Sequence, residues 1–136
     1  MDGTLLTGTT ACLQVAAAVD GMADLVELER RFANGDLDTH GFAAAICELW
    51  HHLQPEVVAD AYAASPWLAD IDAVCADIRR RGEHSAVVTM SPDFFAVHLL
   101  ERGFDAVVAS RFPPLPFTAT LDPTGILTPM DKVRIV

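Results

Sequence analysis

The sequence predicts an α/β fold in which a parallel sheet is accompanied by a long helical insertion. Two apolar segments, residues 85–90 (SAVVTM) and 105–110 (DAVVAS), have the pattern of short buried strands. Residues 91–103, between them, carry a proline near the start and a glycine at the end, as helices do. A strand, a helix and a second strand with short connections indicate a parallel sheet. Residues 11–64 have a helical pattern throughout, so they are expected to form an insertion near the start of the fold.

The predicted insertion contains three helices whose ends are marked by recognisable residues. They cover residues 23–33, 38–53 and 55–65. The Asn34-Gly35 pair ends the first helix, because glycine favours the left-handed conformation that follows a helix. Asp38 or Thr39 caps the second helix. Pro55 starts the third, since proline fits the first helical turn.

After the insertion, the sequence predicts one more helix before the first strand and an irregular segment after the second. Residues 68–81 have a helical pattern that Gly82 ends. Beyond Arg111, the proline-rich PPLPF and the turn sequence DPTGIL indicate a strand or hairpin excursion. Residues 131–136 (DKVRIV) are the expected beginning of another helix.

Composition and charge exclude several classes of protein. A formal net charge of −10 argues against nucleic acid and an anionic membrane surface as general partners. No apolar segment reaches the roughly 18 residues that span a bilayer. The three cysteines, Cys12, Cys47 and Cys75, are widely spaced and form no CxxC pair. Free thiols in a reducing cytoplasm are therefore expected.

Three short segments carry candidate functional residues. They are residues 2–5 (DGTL), Thr89 with the following residues 91–93 (SPD), and Lys132. In a parallel sheet, ligands bind beyond the carboxyl ends of the strands. A hydroxyl there, beside the N–H groups of a helix N-terminus, suits a phosphate. By themselves the SPD residues also fit ordinary helix capping, and a single lysine also fits a solvated surface.

These segments, in this order, resemble the motifs of the haloacid dehalogenase-like hydrolase superfamily, in its phosphoserine-phosphatase-like branch. The first motif of that family is Asp-x-Asp-Gly-Thr-Leu/Val, and residues 1–5 (MDGTL) match it from its second position onward. The second motif is a Thr or Ser that ends a hydrophobic strand, which Thr89 matches. The third is a lysine that opens a helix after a β excursion, which Lys132 matches. The family's helical cap corresponds to residues 11–64.

The resemblance implies a Rossmann-like parallel sheet core with a helical cap inserted after the first motif. Residues 1–9 would be the remnant of the first-motif loop, residues 10–66 the cap, and residues 67–136 the α/β core, which ends before the fourth motif. The implied activity is that of a Mg²⁺-dependent phosphatase acting on a small phosphorylated metabolite.

The family pattern also implies a role for each matching residue. Asp2 would be the general acid and base, and its backbone carbonyl would bind Mg²⁺. Thr89 would hold the phosphoryl oxygens, and Lys132 would neutralise their charge. The further substrate-binding positions that the pattern implies are Gly3, Thr4, Met90 and Ser91.

Two parts of the family pattern lie outside the sequence. The nucleophile of the family is an aspartate two positions before Asp2, at the end of the first strand, and an acidic fourth motif follows the lysine. The resemblance therefore implies a chain truncated at both ends, with an incomplete sheet that lacks its first strand, and inactive as given. The alternative is a catalytically inactive remnant or fragment that binds a partner through its unpaired sheet edge.

The resemblance leaves the substrate open. Phosphoserine phosphatases of this branch hold the amino acid with a cap glutamate and a cap arginine, whose places fall near Thr9 and Ile46 here. Neither residue can bind a zwitterion in the same way. Another small phosphomonoester is therefore favoured over phosphoserine.

Overall fold

The computed structural model describes residues 1–135 as seven α-helices and a two-stranded sheet, with two short 3₁₀ segments. The elements in chain order are α1 (Ala11–Ala18), α2 (Met22–Ala33), α3 (Thr39–Leu49), α4 (Pro55–Ala64), α5 (Ile71–Arg80), β1 (Ala86–Pro92), α6 (Asp93–Ala96), a 3₁₀ segment (Val97–Arg102), β2 (Ala106–Ser110), a 3₁₀ segment (Pro123–Gly125) and α7 (Pro129–Ile135). Within this range no helix combines the length and apolar composition needed to cross a membrane. The last residue of the helix predicted over 131–136 lies outside the described residues.

The two strands pair in parallel, which confirms the predicted α/β fold. They stay in register up to Val88, opposite Val108, and pairing resumes at Pro92, opposite Ser110. Between these pairs β1 bulges at residues 89–91. A bulge bends a strand and redirects its side chains. The redirected residues are the ones that the sequence predicts to bind phosphate and substrate.

The insertion folds as four helices, α1 to α4, with no strand anywhere in residues 11–64. Polar side chains set where these helices start. Thr10 accepts a hydrogen bond from an N–H in the first turn of α1 at 3.2 Å, and Asp38 does the same for α3 at 2.7 Å. Pro55 is the first residue of α4, as predicted. The division of the chain into loop, cap and core at residues 9 and 66 stays a prediction.

Two helices are shorter than predicted. Helix α3 ends at Leu49 and not at Leu53, because Pro55 disfavours a helical conformation in the residue before it and Leu53 packs into the core, 4% exposed. Helix α5 begins later than predicted, after Asp70. That residue has a left-handed φ of 63°, which a continuous helix cannot accommodate.

Residues 91–103 do not form the single helix that their sequence predicts. Residues 91 and 92 belong to β1, and the remainder divides into the four-residue α6 and a 3₁₀ segment. A 3₁₀ helix rises about 2.0 Å per residue, against about 1.5 Å in an α-helix, so a short connection covers more distance. Gly103 ends the segment with a φ of 99°, which favours glycine.

The predicted strand or hairpin after Arg111 is wrong, because within the described residues no strand follows β2. Pro113, Pro114 and Pro116 have no backbone N–H to donate to a sheet. The chain still returns to the end of β2, where the Arg111 N–H donates to the Gly125 carbonyl at 2.8 Å.

One hydrophobic core joins the helical insertion to the sheet. Its buried members come from α1 to α4 and also from β1 and α6. Phe95 of α6 is fully buried, and its ring centroid lies 5.4 Å from that of Tyr62 in α4 and 6.0 Å from that of Trp67. The indole N–H of Trp67 donates to the Tyr62 carbonyl at 2.7 Å. The site described below is therefore built on helices that are packed against the sheet.

The two chain segments that lead into and out of the insertion pair with each other. The Thr7 N–H donates to the Pro66 carbonyl at 3.0 Å, and the Leu68 N–H donates to the Leu5 carbonyl at 2.8 Å. Leu6, between these contacts, is fully buried in the common core. The ends of the insertion are therefore fixed to one another as well as to the core.

Asp105 connects the beginnings of the two strands. Its carboxylate accepts hydrogen bonds from the Ser85 N–H at 2.8 Å and from the Ser85 hydroxyl at 3.2 Å. The Ser85 N–H is the largest cause that lowers the pKa of Asp105 below its ordinary value of 3.8. Because the folded pKa lies below the unfolded one, the ionised carboxylate stabilises the fold fully above the unfolded value. This contribution is lost as the pH falls through the folded pKa.

We expect the Asp105→Asn variant to lose less stability than the parent chain as the pH falls. The free energy of unfolding, measured by urea titration at several pH values from about 5 to about 2, should fall less steeply in the variant than in the parent chain. Asp36→Asn is the control, because the Asp36 side chain makes no hydrogen bond within residues 1–135. Identical acid profiles for the parent and Asp105→Asn would show that the contact with Ser85 does not stabilise the fold.

Candidate active site

A cavity of about 480 Å³ is lined by the carboxyl end of β1 and by residues of α2, α3 and α7. The sequence-predicted site residues that line it are Asp2, Thr89, Met90, Ser91 and Lys132. These residues come from three distant parts of the chain, and the fold brings them together. The carboxyl end of a parallel sheet is the place where α/β folds bind ligands.

Asp2 is held by hydrogen bonds from two different elements. The Ser91 hydroxyl donates to Oδ2 of Asp2 at 2.9 Å. The backbone N–H of Ala11, the first residue of α1, donates to Oδ1 at 3.2 Å. The carboxylate is thus fixed in orientation at the point where the insertion meets the sheet.

The hydroxyls of Thr89 and Ser91 form a short chain of hydrogen bonds that leads to Asp2. Thr89 Oγ1 donates to Ser91 Oγ at 2.9 Å, and the Ser91 N–H donates back to Thr89 Oγ1 at 3.1 Å. This N–H is therefore engaged, Pro92 has none, and the helix that follows has only four residues. The Ser91 N–H and the Thr89 hydroxyl are thus bonded to each other, and a phosphate seat at this strand end stays a prediction.

Lys132 reaches the same cavity from α7. The start of this helix is fixed by Asp131, whose Oδ2 accepts the Thr128 N–H at 2.8 Å and the Thr128 hydroxyl at 2.7 Å. Lys132 makes no ion pair within residues 1–135 and is the only lysine of the sequence. Its charge is available to a bound anion.

Gly3 and Thr4 do not line the cavity. They form an exposed turn, in which the Thr4 N–H donates to the Met1 carbonyl at 3.1 Å and Gly3 has a left-handed φ of 68°. The structure thus brings five of the seven predicted site residues together and places these two in the adjoining turn.

Solved structures with the same architecture identify the fold. A HAD family hydrolase from Salmonella enterica subsp. enterica serovar Typhi matches with a TM-score of 0.73 at 14% sequence identity, over 83% of this chain and 39% of its own. Two phosphoserine phosphatase structures, a phospho-aspartyl intermediate analogue and a substrate complex, match with TM-scores of 0.63 and 0.65, each at 18% identity. The chain has the haloacid dehalogenase-like fold.

The match to the haloacid dehalogenase-like fold extends over most of this chain and part of each neighbour. The two phosphoserine phosphatase structures are matched over 84% and 90% of this chain, and over 55% and 58% of their own. The chain therefore spans less than two thirds of the length of these neighbours. No protein-family model and no curated protein sequence matches it, so the likeness is one of fold.

In this haloacid dehalogenase-like fold the helical insertion supplies much of the remaining cavity wall, and Ser110, Phe112 and Ile126 supply another part. The residues from the insertion include Glu29 and Phe32 of α2 and Phe42 and Ile46 of α3. The motifs predict none of these as site residues. The sequence contains one indication that Glu29 faces the interior. It stands four residues after Leu25, so the two residues share the face that α2 buries. A glutamate on a buried face is uncommon unless it has a partner.

Cys12 lies at the same cavity, on α1. Burial is the largest cause that raises the pKa of its thiol to about 12, and the negative charges of Asp2 and Glu29 also contribute to this rise. A thiol with this pKa stays protonated at neutral pH, and it is the thiolate that reacts. The Cys12 thiol therefore lacks the lowered pKa that is typical of a reactive cysteine.

The described residues do not form a complete magnesium site. Residues 1–135 contain no group of three or more His, Cys, Asp or Glu side chains that could hold a metal ion. Mg²⁺ requires octahedral oxygen coordination, of which solvent normally supplies only a part. The predicted ligand, the backbone carbonyl of Asp2, is a single oxygen atom, so these residues would supply one part of the coordination that Mg²⁺ requires.

Proposed function

We propose that this chain supplies the acid–base and phosphate-binding parts of a phosphatase that hydrolyses a small phosphomonoester. The observation that carries the proposal is that Asp2, Thr89, Ser91 and Lys132 line one cavity at the carboxyl end of a parallel sheet. These four residues supply a carboxylate, two hydroxyls and one cation, which are the groups that phosphoryl transfer uses.

Phosphate binding is assigned to the groups that surround the end of β1. Lys132 places a positive charge at the cavity, and a cation there offsets the charge of the phosphoryl oxygens. The Thr89 hydroxyl, which donates to Ser91 Oγ at 2.9 Å, would donate to the anion when it binds. The Ser91 hydroxyl keeps its one proton on Asp2 at 2.9 Å, so the anion and the carboxylate would lie beside each other.

Proton transfer is assigned to Asp2. In the proposed reaction an aspartate attacks phosphorus, the bond from phosphorus to the alcohol oxygen breaks, and Asp2 donates a proton to that oxygen. Asp2 then removes a proton from the water that attacks the aspartyl-phosphate, which releases inorganic phosphate, restores the attacking aspartate as a carboxylate and returns Asp2 to its protonated form. The family pattern places the attacking aspartate two positions before Asp2, at a position that the 136-residue sequence does not include.

The proposal includes dependence on Mg²⁺, because the resemblance to haloacid dehalogenase-like phosphatases implies it. The backbone carbonyl of Asp2 would be the ligand from these residues, and a bound Mg²⁺ would supply charge stabilisation for the transferring group.

Free Cys12, Cys47 and Cys75 support a reducing, cytoplasmic setting for the enzyme. The alternative function is a non-catalytic module that binds a phosphorylated ligand in the same cavity.

Inorganic phosphate is expected to bind the cavity and to raise the midpoint of thermal unfolding. Lys132→Ala should weaken phosphate binding about tenfold or more, measured by calorimetry with and without Mg²⁺, because it removes a cation that lines the cavity. Arg134→Ala is the matched control, since Arg134 lies on the same helix, is exposed and does not line the cavity. Equal losses in the two variants, or no binding by the parent chain, would contradict the proposal.

A further inference from the structure

The cavity has a polar end and an apolar end. Asp2, Thr89, Ser91 and Lys132 lie at the end that the sheet and α7 provide. The wall from the insertion contains Phe32, Phe42, Ala43 and Ile46, and the ring centroids of the two phenylalanines lie 5.3 Å apart. A phosphomonoester bound with its phosphate at the polar end would therefore place its leaving group against α2 and α3.

Glu29 is the charged residue of that apolar wall. Its side chain is half-buried, and burial raises the pKa of its carboxyl above the ordinary value. Its charge also raises the pKa of the Cys12 thiol, so the carboxylate lies near the interior of the cavity. Burying a carboxylate without a partner costs free energy, and none of the side-chain hydrogen bonds or ion pairs described for residues 1–135 involves the Glu29 carboxylate, whereas Glu27 on the same helix pairs with Arg30.

The charges that line the cavity are unevenly distributed. The charged groups in its described lining are Asp2, Glu29, Lys132 and the α-amino group of Met1. Lys132 and the Met1 α-amino group both belong to the phosphate end with Asp2, so the wall that α2 and α3 provide offers a negative charge and apolar surface with no cation. An ammonium on the leaving group would meet an opposite charge there, whereas a carboxylate would meet a like charge.

We infer that Glu29 is a specificity-determining residue, and that the substrate is a phosphomonoester of an amino alcohol that carries an ammonium and no carboxylate. This inference rests on the proposed function, because it assumes that phosphate occupies the end near Lys132. The ammonium of the ligand pairs with the Glu29 carboxylate, and the carbon atoms of the ligand pack against Phe32 and Phe42.

Calorimetric titration of the 136-residue protein in the presence of Mg²⁺ tests the inference. The probes are 2-aminoethyl phosphate, ethyl phosphate, phosphoserine and inorganic phosphate. The parent protein should bind 2-aminoethyl phosphate about five- to tenfold more tightly than ethyl phosphate, as expected for a partly buried ion pair, and more tightly than phosphoserine. Glu29→Gln should reduce the first ratio to about one.

Glu27→Gln is the matched control, since Glu27 lies on the same helix but is exposed and paired with Arg30. This variant should keep the preference of the parent protein. If inorganic phosphate binds but the parent shows no preference for the amine, or if Glu29→Gln retains it, the inference is overturned while the proposed function stands. If no phosphate compound binds, the proposed function fails and the inference fails with it.

Discussion

The 136-residue polypeptide is expected to release no phosphate above background from small phosphomonoesters, with or without Mg²⁺. Among the described residues, two side-chain carboxylates line the cavity, those of Asp2 and Glu29. The first is assigned to proton transfer, and the second lies on the wall where the leaving group would bind. Loss of a covalent nucleophile lowers kcat by about four to six orders of magnitude. The measurement is colorimetric detection of inorganic phosphate from a panel that includes phosphoserine and 2-aminoethyl phosphate.

The matched experiment adds the parts of the family pattern that the 136 residues do not include. An extended polypeptide carries an apolar strand that ends in aspartate directly before Met1, and an acidic segment after residue 136. It should hydrolyse phosphomonoesters, and the same polypeptide with asparagine in place of the added aspartate should not. Rapid turnover by the 136-residue chain would show that another residue is the nucleophile. An inactive but folded extended chain would favour the non-catalytic binding module.

Phe95→Ala is expected to destabilise the protein by about 3–5 kcal/mol, the usual cost of truncating a buried phenylalanine. The Phe95 side chain is fully buried, and its ring lies 5.4 Å from Tyr62 and 6.0 Å from Trp67, between centroids. Truncation therefore leaves a cavity where the insertion meets the sheet. The measurement is the free energy of unfolding from urea denaturation, followed by circular dichroism.

Phe32→Ala removes the same atoms from a different environment and is the control for this prediction. The Phe32 side chain is 43% exposed, so its truncation should cost less than about 1.5 kcal/mol. A loss in Phe95→Ala as small as that in Phe32→Ala would show that α6 is not packed against the insertion as the structure describes.

The fold class could be predicted because its signals are local. Residues 85–90 and 105–110 are short apolar segments of β-branched residues, and a parallel arrangement follows from the helix between them. The bulge at residues 89–91 could not be predicted, since it depends on how two strands meet and not on either strand alone. The strand or hairpin predicted in the proline-rich segment was wrong for a related reason. Turn residues indicate where the chain reverses, but they do not show that a neighbouring strand is present to pair with.

The candidate site also has residues that could be predicted from the sequence and residues that could not. Asp2, Thr89 and Lys132 could be predicted to approach one another because each occupies a motif position at one edge of a sheet. Glu29 has no motif of its own, and the packing of α2 against α1 and α3 brings it to the cavity. Topology therefore predicts the polar end of the cavity, whereas tertiary packing decides which residues reach its apolar end.

The continuous hydrophobic core has a consequence for how the molecule loses its structure. Because helices α1 to α4 share that core with β1 and α6, neither the insertion nor the sheet retains a complete core when the other melts. Unfolding should then be a single cooperative event, and the insertion would not behave as a module that can be removed or transplanted without loss of the remainder. Any change in the insertion that alters which ligand the cavity accepts is for this reason also a change in the stability of the whole chain.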